Sequence, residues 1–463
     1  MNLTDVGHMT EDAGSDGGGE DKMAAARDRL LESKKAGVLP EGAPADFDPS
    51  SPWDIARFYA GAFSRDARML GLRVAEEAEV DASLMPRATD RMGAMLRLIV
   101  ELIEKGHAYV SGEAVYFDVG SFGAYGRLSG NTPEMIRAGA GGRVSESSVA
   151  SKRHPADFLL WKHDPRHVMR WDPREVLGDD DGWGERAAAA GLREGYPGWH
   201  AECSAMARER LGDVIDIHSG GEDLIFPHHE CEIAQSRCVT GREVFSRYWV
   251  HTRFLKVEGE KMSKSAGNFF TARQVMERGF GASALRLALI GSHYRQNANF
   301  TERGLKDAAG VVARWRRFLS AAEGRGEDGP GEGGLGEGGV EAARSFARSM
   351  NDDVNVAGAV AAVNRWVKEE GEPGAAEAAL MRVFDGVLGV LELSDEGVGG
   401  GDGGGGGVGE EDARIDALVE ARRAARAARD FGEADRIRDE LDALGVEVTD
   451  TADGPVWTRR AAL

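Results

Sequence analysis

Cysteine is scarce: three residues in a chain of 463. That is too few for a disulfide framework, so a reducing, cytoplasmic compartment is the default expectation. Long hydrophobic runs are missing too, and no stretch approaches the roughly 20 apolar residues that a membrane helix needs. The opening residues, MNLTDVGHMTEDAGSDGGGEDKM, have neither the basic nor the apolar segment of a secretory signal, so none is expected. Positive charge is in deficit, with 57 Lys+Arg against 78 Asp+Glu and a net charge of −21. This argues against a general nucleic-acid coat or a membrane-surface protein. One specific nucleic-acid partner, met by a local basic face, remains compatible with it. No internal repeat at a solenoid period is found. What is present suits a soluble globular protein: 42% hydrophobic residues rule out wholesale disorder. At about 150 residues per domain the length suggests roughly three domains.

Glycine is in excess, with 63 residues, about twice the usual share of roughly 7%. The surplus is concentrated in Gly324–Gly339 and Gly397–Gly409, which can bury little and read as flexible linkers. In front of them, helical and strand-like text alternates. Ser51-Pro52 opens a capped helix, and RMGAMLRLIVELIEKG from Arg91 carries apolar residues at helical spacing up to Gly106. Ala108–Val110 and Ala114–Val119 read as a hairpin, Asp157–Trp161 as a strand, and Asp213–His218 as a buried strand ending at Gly220-Gly221. Such alternation suggests an α/β fold with a parallel sheet. Between the linkers, residues 344–369 read as one helical run, followed by a second helix. The tail reads as two helices, Gly445 as a cap, and a strand over Val446–Val448.

Three constellations carry chemistry. Cys203 lies in GWHAECSA, and His228 and Glu232 lie in FPHHECE. On a helix opening near Pro227, residues four apart share a face, so a thiolate, an imidazole and a carboxylate make a plausible zinc set. On spacing alone a buried cysteine beside a surface His/Glu pair is the stronger reading. Cys231, at i+3 from His228, can face the same way, and Cys238 reads as core filler. Next, Lys261-Met262-Ser263-Lys264-Ser265 places two lysines in a Ser/Gly-rich loop suited to nucleotide phosphates. Last, Gly220-Gly221-Glu222-Asp223 follows a strand, where glycines admit a ligand and the aspartate accepts from ribose hydroxyls.

In this order and spacing, GWHAECSAM, DIHSGGEDLIFPHHECEIAQS and EKMSKSAGNFFT resemble cysteinyl-tRNA synthetases, which are class I aminoacyl-tRNA synthetases. The likeness extends along essentially the whole chain. NLTD, PRATDRMGAMLRLIVELIEKGHAYV, RLALIGSHYRQNAN, SMNDDVNVAGA and FGEADRIRDELDALGVEVTDT resemble successive family segments. The resemblance implies a Rossmann-type catalytic domain with a connective insertion over 1–245, and the KMSKS loop with the stem-contact region over 246–322. A Gly-rich linker over 323–340 then leads to a helical anticodon-binding domain over 341–396. A second linker over 397–410 precedes a small C-terminal α/β domain over 411–463.

It also implies ATP-dependent activation of L-cysteine and transfer to tRNA(Cys), and the expectation is of a monomer with no membrane association. Zn2+, one per chain, would be held by Cys203, His228 and Glu232 and would bind the substrate thiolate, a soft-metal preference that rejects serine. Trp199 and His218 would line the cysteine pocket. ATP, with Mg2+, would meet Gly221, Asp223, Ser263, Ser265 and Lys264, with Lys261 assisting. Arg422, Arg423 and Arg426 fall on one face of a tail helix and are candidates for tRNA contact, as is the cluster Arg314, Arg316 and Arg317; a solvated, ion-paired face is the alternative for both.

Family members begin with a strand carrying a cysteine that is a fourth zinc ligand, followed by a His-Ile-Gly-His signature for ATP. Neither is found here, and Gly7-His8 lacks the leading histidine. The expectation is of a catalytic domain incomplete at its N-terminus, either a shortened reading of a longer gene or an inactive relative, with catalysis impaired. Cys231 is then the candidate for the fourth ligand. Two other readings are a cysteine ligase of mycothiol biosynthesis and a non-catalytic tRNA-binding relative. Residues 344–393 and the tail favour tRNA over the first, and the intact KMSKS and three zinc ligands argue against the second.

Overall fold

The architecture is that of a computed structural model, which describes residues 1–7, 21–40, 42–137, 151–178, 180–262, 268–323, 335–371, 373–393, 408–427, 430–443, 446–451 and 454–459. Two compact units divide the chain. The first comprises Met1–Phe254 with Tyr294–Asn297, the second Leu255–His293 with Ala298–Leu463.

In the first unit, Ser51 accepts from Asp54 N and Pro52 takes the first turn, which starts the helix Pro52–Met69 as the sequence predicts. The helix Met92–Glu104 is apolar nearly all round and buries Met95, Leu96, Ile99 and Leu102 completely. It forms the centre of the main core, against Phe117, Phe158, Leu160 and Trp161. Strand β1 (Ala108–Ser111) pairs with β2 (Ala114–Phe117), β2 with β3 (Phe158–Lys162), and β3 with β4 (Tyr196–Pro197). Every one of these pairings is antiparallel. A turn at Gly112-Glu113 between β1 and β2 permits no other arrangement, so the parallel sheet expected from helix–strand alternation is not found here. Parallel pairing occurs between β5 (Ile215–Gly221) and β6 (Ser246–Thr252). Because β6 pairs with β5, the first unit continues past residue 245 through Phe254.

Strand β5 also departs from the expectation of a buried strand. Ile215 is buried, but Ile217 is 64% exposed and lies opposite Tyr248, 69% exposed. The apolar text dictated a strand, but among the described residues β5 pairs on one edge only and this face stays largely exposed.

In the second unit, β7 (Leu255–Val257) lies between β8 (Glu260–Lys261) and β9 (Ala298–Phe300). The helices Glu302–Glu323, Glu337–Asn351, Val356–Glu369 and Ala375–Leu388 bury Trp315, Phe346, Trp366 and Phe384 in a common core. The run expected as one helix over 344–369 is two. Asp353 and Val354 adopt positive φ (52° and 58°). Asn355 then caps the second helix by accepting from Gly358 N. Helix text also extends into the linker expected over 323–340, with Glu337 as its first residue; residues 324–334 and 394–407 lie outside the described residues. In the tail, helices Val408–Ala427 and Phe431–Ala443 share a small core of Ile415, Val419, Ile437, Leu441 and Val446. They precede an antiparallel pair, β10 (Val446–Thr451) and β11 (Gly454–Arg459). Gly445, expected as a cap, lies outside the described residues.

Candidate metal centre and active site

Three elements of the first unit converge on one carboxylate. The helix Trp199–Leu211 begins hard against β3: a Cβ on Gly198 would lie 2.1 Å from Leu159 O, so only glycine allows this approach. The helix carries Trp199, His200 and Cys203 inward. Phe226 is extended (φ −137°, ψ 130°), which breaks the backbone just before His228 and His229. The helix Glu230–Thr240 then presents Glu232. Strand β5 contributes His218, and β6 contributes Trp249 and His251.

Glu232 is wholly buried. One of its oxygens, Oε2, lies 3.0 Å from His218 Nε2, 3.7 Å from His228 Nε2 and 3.9 Å from His229 Nε2. The other, Oε1, is buried with no hydrogen-bond partner among the described residues. Burial pushes this carboxyl up, but the imidazoles of His228 and His218 outweigh it and hold it below the usual range. The ligand atoms of Cys203, His228 and Glu232 lie within 4.8 Å of one another, and so do those of His218, His229 and Glu232. An orphaned carboxylate oxygen beside a thiol and imidazoles is the donor chemistry of a divalent-metal site, so these residues fit the zinc that the sequence implies. Burial, then the carboxylates of Glu232 and Glu202, raise the Cys203 thiol well above its ordinary range, while Asn2 Nδ2 donates to its sulfur at 3.1 Å. A bound cation reverses that balance, because a coordinating thiol is deprotonated outright.

Orientation comes from outside the donor set. His200 Nδ1 and His228 Nδ1 are 2.8 Å apart, which turns His228 Nε2 toward Glu232. The Trp199 ring sits 4.4 Å from that of His228. His229 Nδ1 meets His251 Nε2 at 2.8 Å, and burial holds the His229 pKa down to about 3. Glu230, two residues before Glu232, faces another way. It accepts from the amides of Gly126, Leu128 and Ser129 and from Ser129 Oγ.

The structure thus brings together Cys203, His228, Glu232, Trp199 and His218. Gly221 ends β5, and Asp223 is exposed in the turn that follows. Lys261 is exposed on β8 in the second unit, whereas Ser263, Lys264 and Ser265 lie outside the described residues. Cys231 does not join the metal set. It is fully buried in the main core, with Tyr125 OH 3.5 Å from its sulfur. Glu232, at i+4, turns to the His228 imidazole, whereas Cys231, at i+3, turns to the opposite flank and into the core. Cys238 packs against the same core, as expected, and burial pushes its thiol up to about 12. Arg422 is half-buried, Arg426 is exposed, and Arg423 pairs with Glu420 three residues back. Arg316 is a strut rather than a surface cation: it donates to Leu391 O, Leu393 O and Ser283 Oγ. Sequence reasoning missed Asn2, His200, His229, Glu230 and His251. Only His229 had a local sign, its place beside His228 in FPHH.

Residues 51–310 match the family model described as the class I (C) tRNA synthetase catalytic domain. Residues 409–457 match that of the cysteinyl-tRNA ligase anticodon binding domain. Fold, site and match together define a class I aminoacyl-tRNA synthetase. Among curated relatives, the cysteine–tRNA ligase of Salinibacter ruber is 40% identical over 492 residues, covering 99% of this chain and 86% of that protein. That of Chlorobaculum tepidum is 35% identical over 483 residues, covering 100% and 86%. That of Alkalilimnicola ehrlichii is 42% identical over 384 residues, covering 81% and 76%. The chain belongs to the cysteine–tRNA ligase family.

Proposed function

We propose that this protein activates L-cysteine with ATP and transfers the cysteinyl group to tRNA(Cys). The observation that carries this reading is the convergence of Cys203, His228 and Glu232 to within 4.8 Å in a chain of this family. These residues would hold one zinc ion. When bound, it supplies a soft Lewis acid that prefers the substrate's sulfur to serine's oxygen. Trp199, its ring against His228, and His218, hydrogen-bonded to Glu232, line the amino-acid pocket beside it. Gly221, the last residue of β5, and Asp223, in the turn after it, face the nucleotide. Lys264 with Lys261, flanked by Ser263 and Ser265, neutralise charge on the phosphates of Mg2+–ATP as the cysteine carboxylate attacks the α-phosphate and pyrophosphate leaves, giving cysteinyl-adenylate. Positioning and charge neutralisation suffice for such a transfer, and no acid–base residue is required.

For tRNA, the tail matched by the anticodon-binding model offers Arg422, Arg423 and Arg426. We read 1–245 as the catalytic domain, 246–322 as the KMSKS and stem-contact region, 341–396 as a helical anticodon-binding domain and 411–463 as the C-terminal domain, joined by linkers at 323–340 and 397–410. The protein acts as a cytoplasmic monomer; among the described residues no helix is long and apolar enough to cross a membrane. The test is cysteine-dependent ATP–pyrophosphate exchange by the purified, metal-loaded chain. Exchange that cysteine supports and serine does not is expected. Its absence with zinc bound would overturn the reading.

A further inference from the structure

Glu232 belongs to two sets of donors, and only one of them contains sulfur. We propose a second cation position, formed by His218 Nε2, His229 Nε2 and Glu232, that takes a divalent transition-metal ion through nitrogen and oxygen alone. The geometry supplies each part. The two Nε2 atoms lie 3.0 and 3.9 Å from Glu232 Oε2. Among the described residues Oε1 of the same carboxylate is buried without a hydrogen-bond partner, so the carboxylate keeps coordination capacity beyond what one set of donors uses. The His229 ring is held from behind by His251 Nε2, 2.8 Å from its Nδ1. This is the outer hydrogen bond that ordinarily fixes a ligating imidazole. At Gly220 a side chain is excluded, since a Cβ would lie 2.8 Å from His229 Cε1. The strand therefore passes close to the ring without displacing it.

Two imidazoles and a carboxylate with open positions suit Zn2+, Co2+ or Fe2+. The Cys203 set brings one sulfur donor, whereas the histidine set offers nitrogen and oxygen alone. An ion there occupies His218. Resting on the proposed role of His218 in the cysteine pocket, excess metal then competes with the amino acid.

Cobalt titration of the full chain, followed by absorption, tests this. In the unsubstituted protein a thiolate-to-cobalt charge-transfer band reports on the Cys203 set separately, so failure of that set is distinguishable. Cys203→Ser should still bind Co2+ stoichiometrically with d–d absorption and no charge-transfer band. Adding His229→Ala should then weaken binding by about tenfold or more. Cys203→Ala gives the same reading should serine be poorly tolerated. No cobalt bound to either cysteine variant, or binding indifferent to His229→Ala, would overturn the proposal.

Discussion

Two carboxylates on one helix, Glu230 and Glu232, are both completely buried, yet they meet opposite surroundings. Glu230 faces the loop at Gly126–Ser129, where three amides and a hydroxyl occupy its oxygens. Glu232 faces three imidazoles and leaves Oε1 without a partner among the described residues. Burying a charge costs several kcal/mol unless neighbours compensate it. The Glu230 region compensates with the chain's own backbone, and is structural. The Glu232 region is left incomplete, and that incompleteness marks a site for a cation. Burial alone therefore does not separate a structural acid from a functional one; the remaining hydrogen-bond capacity does.

The largest expected effect breaks the comparison at Glu232. Glu232→Gln should lower zinc affinity by more than about 100-fold, since a ligand is lost rather than a supporting bond. Competition with a chelating dye measures it. Glu230→Gln is the mirror case. It sets an amide against backbone donors and should cost about 2–3 kcal/mol in denaturant unfolding, with zinc affinity kept within a few-fold. A reversal of these two phenotypes would dissolve the distinction.

Cys231, between them, sharpens it. Cys231→Ser should cost about 1–2 kcal/mol by placing a hydroxyl in the core beside Tyr125, and leave zinc stoichiometry unchanged. A fall in bound metal would restore Cys231 to the ligand set.

How much of this was legible follows from the same residues. The β1–β2 hairpin, the capped helix at Pro52 and the donors Cys203, His228 and Glu232 each had a local sequence sign. Cys231 was misread because i+3 and i+4 fall on opposite flanks of a helical face: Glu232 meets the His228 imidazole, while Cys231 turns into the core beside Tyr125. Asn2, His200 and His251 were invisible because their partners are distant in sequence: Asn2 and Cys203 are 201 positions apart. Strand β5 showed its apolar residues but not which face would be covered.

Smaller effects test the surface counterparts. Asp164, paired with the exposed Arg166, has its pKa lowered from 3.8 to about 2, chiefly by the Arg166 hydrogen bond. The folded pKa is depressed, so this pair stabilises the fold above about pH 3.8, and the contribution is lost as pH falls toward 2. Arg166→Ala should flatten that part of an acid-unfolding profile. Arg423→Ala removes an exposed i,i+3 pair with Glu420 and should change stability by less than about 0.5 kcal/mol. If Arg423 meets phosphate, the same change lowers the salt slope of tRNA binding by about one. An unchanged slope would remove it from the interface.

The most direct measurement is the zinc content of purified wild type, Glu232→Gln and Glu230→Gln, with X-ray absorption at the zinc edge of the wild type. One zinc with a single sulfur ligand is expected in the wild type, retained in Glu230→Gln and lost from Glu232→Gln. Equal metal content in all three proteins, or a zinc edge without sulfur, would contradict it.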